Sequence, residues 1–305
     1  QGTLWEPTTA LPTVDGLYLQ LPFSGALTMV RADGTYSLVD LGEGQVTETS
    51  VAPDQRTVIA FVETEQCIQG DEKKDDCADI ERTREIVVVY AGKKKNALDI
   101  DGTFNAVAYS EDGRFGIAYL DLSKEVELDG VTNITSVVVL DLISGETTPV
   151  SLGFAADQVL FVNDPNGASK AVVVSANSVA VIDLLQPEPF VEVTFPLTLD
   201  PDNRVVPVGV DLTPNGQYAL ISAAGTTDLY VLDLLNQSIN IVDLSGQPAD
   251  MAVNKLTDRT VLVYRNSSVV DVLEHELFDV DTYALDVPMN NVAQGADFVV
   301  LYDDR

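Results

Sequence analysis

Basic residues are scarce in this chain of 305 residues: 17 Lys and Arg stand against 48 Asp and Glu, a formal net charge of −31. Nucleic acids and anionic membrane surfaces demand clustered cations, so the balance argues strongly against both as partners. Long apolar runs are missing as well. No segment approaches the roughly 18 uninterrupted apolar residues of a membrane span, which speaks against membrane insertion. Histidine is reduced to one, His275, flanked by Glu274 and Glu276. A Ser-His-Asp or Cys-His arrangement would have to use that single ring, and its carboxylate neighbours favour a protonated, solvent-facing side chain. The sequence nominates no catalytic residue. Helical periodicity is almost absent, and the opening residues, QGTLWEPTTALPT, show neither the basic nor the apolar region of a signal peptide; a mature chain starting at Gln1 after cleavage would look the same.

Cysteine is limited to Cys67 and Cys77, both within the polar stretch CIQGDEKKDDC. Two free thiols would have no packing role there. A disulfide between them, closing a loop, is the expected state, and it implies an oxidising, extracytoplasmic compartment. Zinc would need further ligands nearby, and His275 is far away in sequence.

What the chain does have is repetition. VVPVGVDLTPNGQYALISAAGTTDLYVLDLLNQSINIVDLSG, from Val205 to Gly246, reads as four short runs of β-branched and aromatic residues separated by Asn, Gly, Ser and Thr. That is the pattern of an antiparallel meander, and one such unit cannot bury both of its faces alone. Relatives of the unit recur along the whole chain, with first turns at Asp15, Asp54, Asp112, Asn166, Asn215, Asp258 and Gly295. With two charged insertions set aside, the repeat is roughly 40–45 residues, the length of a four-stranded propeller blade. The expectation is an all-β chain forming one β-propeller domain over 1–305, of seven blades with four antiparallel strands each. Six blades plus an incomplete hairpin is the alternative.

Closure is the open question in that scheme. The first copy, 15–44, matches only the last three strands of the unit, and the last, 291–305, only its first two. Gly2–Pro12, interrupted by Pro7 and Pro12, is too short to complete the last copy with two strands and a turn. A half-blade leaves a strand edge to be covered by a natural chain continuing past Arg305, by a strand from around Thr3–Thr9, or by another subunit; continuation or pairing with a protein partner or a second copy is the expectation.

The pieces SVAPDQRTVIAFVE, AYSEDGRFGIAYLDL and DLTPNGQYALISAA resemble the opening half of YVTN-type β-propeller repeats. VVVLDLISGETTPVSLG and LYVLDLLNQSINIVDL resemble the second half. The copies depart from that pattern at their turns, where Asp54-Gln55 lacks the glycine and the sixth copy has Thr257-Asp258-Arg259, substitutions that tolerate the same geometry. The resemblance implies an exported, periplasmic or surface-layer protein acting as a binding or structural module. Related propellers include lactonases and quinoprotein dehydrogenases, so an enzyme with its site at the channel mouth is the competing expectation.

Two further groups stand out. Asp99, Asp101 and Asn105 have the alternating spacing that opens a calcium loop but lack its closing bidentate Glu; the competing reading is a set of turn-forming side chains that satisfy backbone amides. No other cofactor is suggested. Arg56 and Arg114 occupy one equivalent turn position, with Arg259 close to it, which marks them as structural.

Overall fold

The computed structural model describes residues 6–69, 79–100, 104–124, 134–164, 167–198, 205–254, 256–295 and 298–303. Among these residues there are strands and turns but no helix, hence none long and apolar enough to cross a membrane. The strands form six four-stranded antiparallel sheets and one two-stranded sheet, each a meander in chain order. Two compact units divide them, Gln1–Ala156 and Asp157–Arg305.

In the first unit, sheet one holds β1 (Thr9–Thr13), β2 (Gly16–Gln20), β3 (Ala26–Val30) and β4 (Tyr36–Asp40). Sheet two holds β5 (Gln45–Val51), β6 (Thr57–Gln69), β7 (Asp79–Tyr90) and β8 (Lys93–Asp99). Sheet three holds β9 (Ala106–Tyr109), β10 (Phe115–Tyr119), β11 (Ser136–Asp141) and β12 (Thr147–Ser151). Strand alternation explains the packing. Val58, Ala60 and Val62 on β6 join Tyr18, Leu27 and Met29 of sheet one in one apolar cluster. Their neighbours Ile59 and Phe61 point the other way, into a cluster with Ala118, Val138 and Leu140 of sheet three. A central strand buried on both faces cannot slip by one residue without exchanging two cores, which holds the register firmly.

The first sheet departs from expectation. Thr9–Thr13 supplies its missing first strand, paired from Thr9↔Gln20 to Thr13↔Gly16, so this copy is complete. Pro12 is accommodated opposite Leu17 because β1 lies at the edge of its sheet, where one missing amide donor breaks no second ladder. In sheet two, Lys93–Lys95 lie in β8; Lys94 donates to the Leu41 carbonyl and Lys95 sits 4.9 Å from the Tyr90 ring centroid.

In the second unit, sheet four holds β13 (Gln158–Asp164), β14 (Gly167–Ser175), β15 (Ser178–Asp183) and β16 (Phe190–Pro196). Sheet five holds β17 (Pro207–Leu212), β18 (Tyr218–Ala223), β19 (Asp228–Asp233) and β20 (Ser238–Asp243). Sheet six holds β21 (Pro248–Asn254), β22 (Arg259–Tyr264), β23 (Val269–Glu274) and β24 (Val280–Ala284), and β25 (Asn291–Gln294) with β26 (Val299–Tyr302) makes the hairpin. Val172, Val174 and Val181 of sheet four pack on Ile221, Tyr230 and Leu232 of sheet five, while Leu220, Leu229 and Val231 pack on Leu262 and Leu273 of sheet six.

The turn substitutions keep one geometry. Gln55 and Asp258 adopt φ of 55° and 44°, in the left-handed region that Gly113 and Gly216 occupy at 69° and 65°. The arginines beside these turns, Arg114 and Arg259, each lie near the acid that ends the third strand of their own sheet, Asp141 at 4.0 Å and Glu274 at 3.5 Å, in exposed pairs.

Candidate interaction site

The hairpin at the end of the second unit is the most unusual element, because it stops at two strands. Its register runs from Asn291↔Tyr302 to Gln294↔Val299. β25 is firmly attached to sheet six. The Val292 amide donates to Asp250 Oδ2 at 2.9 Å, the Gln294 side-chain amide donates to the Ala252 carbonyl, and Val292 packs with Val261, Val263 and Val270. β26 pairs with no strand other than β25 among the described residues. Its Val299, Val300 and Tyr302, with the preceding Phe298, are exposed. An apolar strand with one edge unpaired among the described residues is a template for adding another strand, and although β26 is only four residues long, no Lys, Pro or bulge lies within it.

The residues singled out from sequence lie elsewhere. Cys67 is near the end of β6, where pairing with β7 runs on to Gln69↔Asp79. No free cysteine is present among the described residues, and Cys77 lies outside them. Asp99 closes β8 and is exposed, whereas Asp101 lies outside the described residues. Asn105 is already engaged: its Oδ1 accepts from the Asp121 amide at 2.7 Å and its Nδ2 donates to the Asp121 carbonyl at 3.0 Å. That pairing ties the start of sheet three together and is the kind of work done by a turn-forming side chain.

His275 overturns the surface reading. It is buried, and its Nε2 lies 2.8 Å from Thr260 Oγ1. Burial pushes the ring's pKa below its ordinary value, against the opposing pull of Asp258, so the neutral form is favoured. The cause is its place in the repeat. The His275 amide donates to the Asp258 carbonyl, as the Leu142, Leu184 and Leu234 amides donate to Arg114, Ser169 and Gln217. An inward-facing leucine position has been given to histidine. Aligning VLEHELF with VIDLLQP and VLDLLNQ would have found this in the sequence, because position in the repeat outranks the flanking charges.

A second polar cluster, unseen in the sequence, is centred on Asp271 in β23. The carboxylate is fully buried and accepts from the Ser245 amide at 2.9 Å, the Ser245 hydroxyl at 2.8 Å, the Thr282 hydroxyl at 2.8 Å and the Tyr264 hydroxyl. Burial alone would raise its pKa, but these donors outweigh it and hold the carboxyl below the usual carboxylate range. Every oxygen is satisfied, so the cluster locks the entry into β21 to β23 and β24 and leaves no group free for chemistry.

A small cleft, with room for little more than a water molecule, lies on sheet two, lined by Thr47, Phe61, Glu63, Arg84, Glu85, Ile100 and Phe104 among others. Arg84 Nε lies 3.3 Å from Glu63 Oε2, which leaves Glu85 as the further charge on its wall. Among the described residues no group of three His, Cys, Asp or Glu side chains is arranged to hold a metal.

No family model matches the chain, and no curated protein is similar to it in sequence. Among solved structures, hydrazine synthase from Kuenenia stuttgartiensis is similar at 13% identity, over 99% of this chain and 97% of that one, with a TM-score of 0.43. The periplasmic gluconolactonase PpgL of Pseudomonas aeruginosa is similar at 13% identity, over 100% of this chain and 90% of that one, with a TM-score of 0.44.

Proposed function

We propose that this chain is a non-enzymatic, exported β-propeller of the YVTN-repeat type, with seven blades of which the last is half built, serving as a cell-surface or extracellular interaction module. The observation that supports it most directly is β26, an apolar edge strand with no partner but β25 among the described residues, anchored through β25 to sheet six. A partner strand, from another protein or another copy, completes the blade by backbone pairing. The polar clusters support the same reading: Asp271 and His275 are consumed by structure. The Cys67–Cys77 bond belongs to this reading through the oxidising compartment it requires.

Hydrogen exchange tests it. Amides of Val299–Tyr302 become protected as protein concentration rises or as an extracellular protein fraction is added, and Val300→Lys abolishes that protection, since an edge lysine resists pairing. Fast exchange under every condition, in wild type and variant alike, refutes the reading.

The competing reading, a propeller enzyme of lactonase or dehydrogenase type, draws on one feature: the cleft that sets Glu63 and Arg84 beside apolar walls. Hydrolysis of a lactone panel that Glu63→Gln eliminates would carry it.

A further inference from the structure

Sheets three, four and five join their third and fourth strands through the same turn. The acid that ends the third strand, Asp141, Asp183 or Asp233, accepts through Oδ1 from the amide two residues on, that of Ile143, Leu185 or Leu235. Only a backbone N–H is needed at that second position, so the turn sets no demand on its side chain. All three are nevertheless aliphatic and exposed. In sheet six Glu276 takes the position and Leu277 follows it, while Leu256 lies in the turn between β21 and β22. Leu185, Leu235, Leu256 and Leu277 are between 53% and 74% exposed, and among the described residues of the second unit no other leucine is as exposed.

These four leucines stand at one end of the second unit. In a meander the first and third turns lie at one end and the second turn at the other. Sheets four and five are aligned at the second-turn end: the Val205 carbonyl accepts from the Asn177 amide in the second turn of sheet four, and the adjoining Val206 carbonyl accepts from the Ala224 amide in that of sheet five. Sheets five and six are aligned at the opposite end. There Tyr218, just after the first turn of sheet five, meets Phe278, in the third turn of sheet six, edge to face with ring centroids 5.0 Å apart. Apolar residues scattered singly over a surface are ordinary, whereas a set gathered at one end marks an interaction site. Exposed carboxylates stand among the leucines, from Glu188, Asp258, Glu276 and Asp279. Against them the described turn residues set only Arg259, 3.5 Å from Glu274.

We propose that this end of the second unit docks a basic amphipathic helix of a partner protein, its aliphatic face on the leucines and its cations on the carboxylates. Charge decides among occupants. A second copy would bring the same carboxylates against their likeness, and an anionic lipid surface would be repelled, whereas a cationic segment is steered in and held. Spacing favours a helix: packed sheets lie roughly 10 Å apart, about the rise of seven helical residues, so one side chain per heptad meets one sheet. The contact is made by side chains on turns, without backbone pairing, and does not depend on the edge of β26.

Fluorescence anisotropy of a labelled peptide of three amphipathic Leu/Lys heptads, titrated with the full chain, tests it. The peptide binds wild type, and its affinity falls at least about tenfold for Leu235→Ser combined with Leu277→Ser, a variant shown to be folded by cooperative melting. Glu276→Lys weakens binding at low salt, and the deficit shrinks at about 0.5 M salt, where charge is screened. A peptide of the same composition in scrambled order binds at least about tenfold more weakly, and Val300→Lys binds like wild type. No binding overturns the proposal. So does equal binding of the scrambled peptide or indifference to the paired leucine substitutions, since attraction to a chain of net charge −31 would then explain everything measured. Loss of binding in Val300→Lys overturns it in favour of the β26 edge. Dimerisation, or binding to zwitterionic vesicles, that the paired leucine substitutions abolish overturns it in favour of a second copy or a lipid surface.

Discussion

Thr260 Oγ1 and His275 Nε2 meet at 2.8 Å inside sheet six, at a place where sheets four and five bury Leu184 and Leu234. The ring's other nitrogen, Nδ1, has no hydrogen-bond partner among the described residues, so this polar pair is only half satisfied. Buried polar groups left unpaired destabilise a core by about 1–3 kcal/mol. Replacing both partners, as His275→Leu with Thr260→Val, is expected to raise the melting temperature by several degrees, measured calorimetrically at pH 7.

The same pair sets a pH dependence. The folded ring's pKa lies below the ordinary 6.5, first because of burial. Below pH 6.5 the unfolded chain therefore takes up a proton that the folded chain refuses. This site costs no stability above that pH and progressively more as pH falls, until the folded ring also titrates. Denaturant midpoints taken from pH 7.5 to pH 5 should decline less in the double variant than in wild type; parallel curves would show that His275 is not responsible.

Asp271 is expected to be far less tolerant. Asp271→Ala removes an anion that four donors surround, leaving the Ser245 amide and the Tyr264 and Thr282 hydroxyls unanswered. Losing one member of such a buried set costs about 3–5 kcal/mol. Chemical denaturation should report it, with Tyr264→Phe costing less because only one donor is lost.

Phe23→Asn should stabilise the isolated chain, since it relieves a left-handed aromatic residue at a cost of about 1 kcal/mol. The gain is to be read as a higher melting temperature in dilute protein. A variant that melts lower than wild type would mean that Phe23 packs within its own chain.

For Cys67 and Cys77 the expected outcome is that neither alkylates without reductant, in mass spectrometry of the intact chain. Cys67→Ser is expected to cost at most about 3 kcal/mol, because the loop it closes is short. Its effect should be confined to exchange rates near the β6–β7 end, since the long pairing from Thr57↔Tyr90 onward stays in place.

Much of the architecture was legible because it is local. Asn215-Gly216 and Asp112-Gly113 announce tight turns through the backbone they permit, and the short apolar runs VIAFV in β6 and LYVL in β19, rich in β-branched and aromatic residues, announce strands buried on both faces. Those signals act within a few residues, so each meander could be read from its own stretch. The first strand was missed because Pro7 and Pro12 argue against a strand in general, while an edge position excuses one of them; which strand is an edge is a property of the assembled sheet.

By itself, then, the sequence determined the all-β class, the meander repeat, the turn positions and the unfinished last copy, since these follow from backbone preference and side-chain alternation. Only the tertiary structure decided what the repeat positions contain: that His275 is buried, that Asp271 gathers four donors from two strands and a connecting loop, and that Phe23 stands exposed on a left-handed turn. Burial and partnership depend on residues distant in the chain, and flanking charge or composition carries no information about which of them will be near.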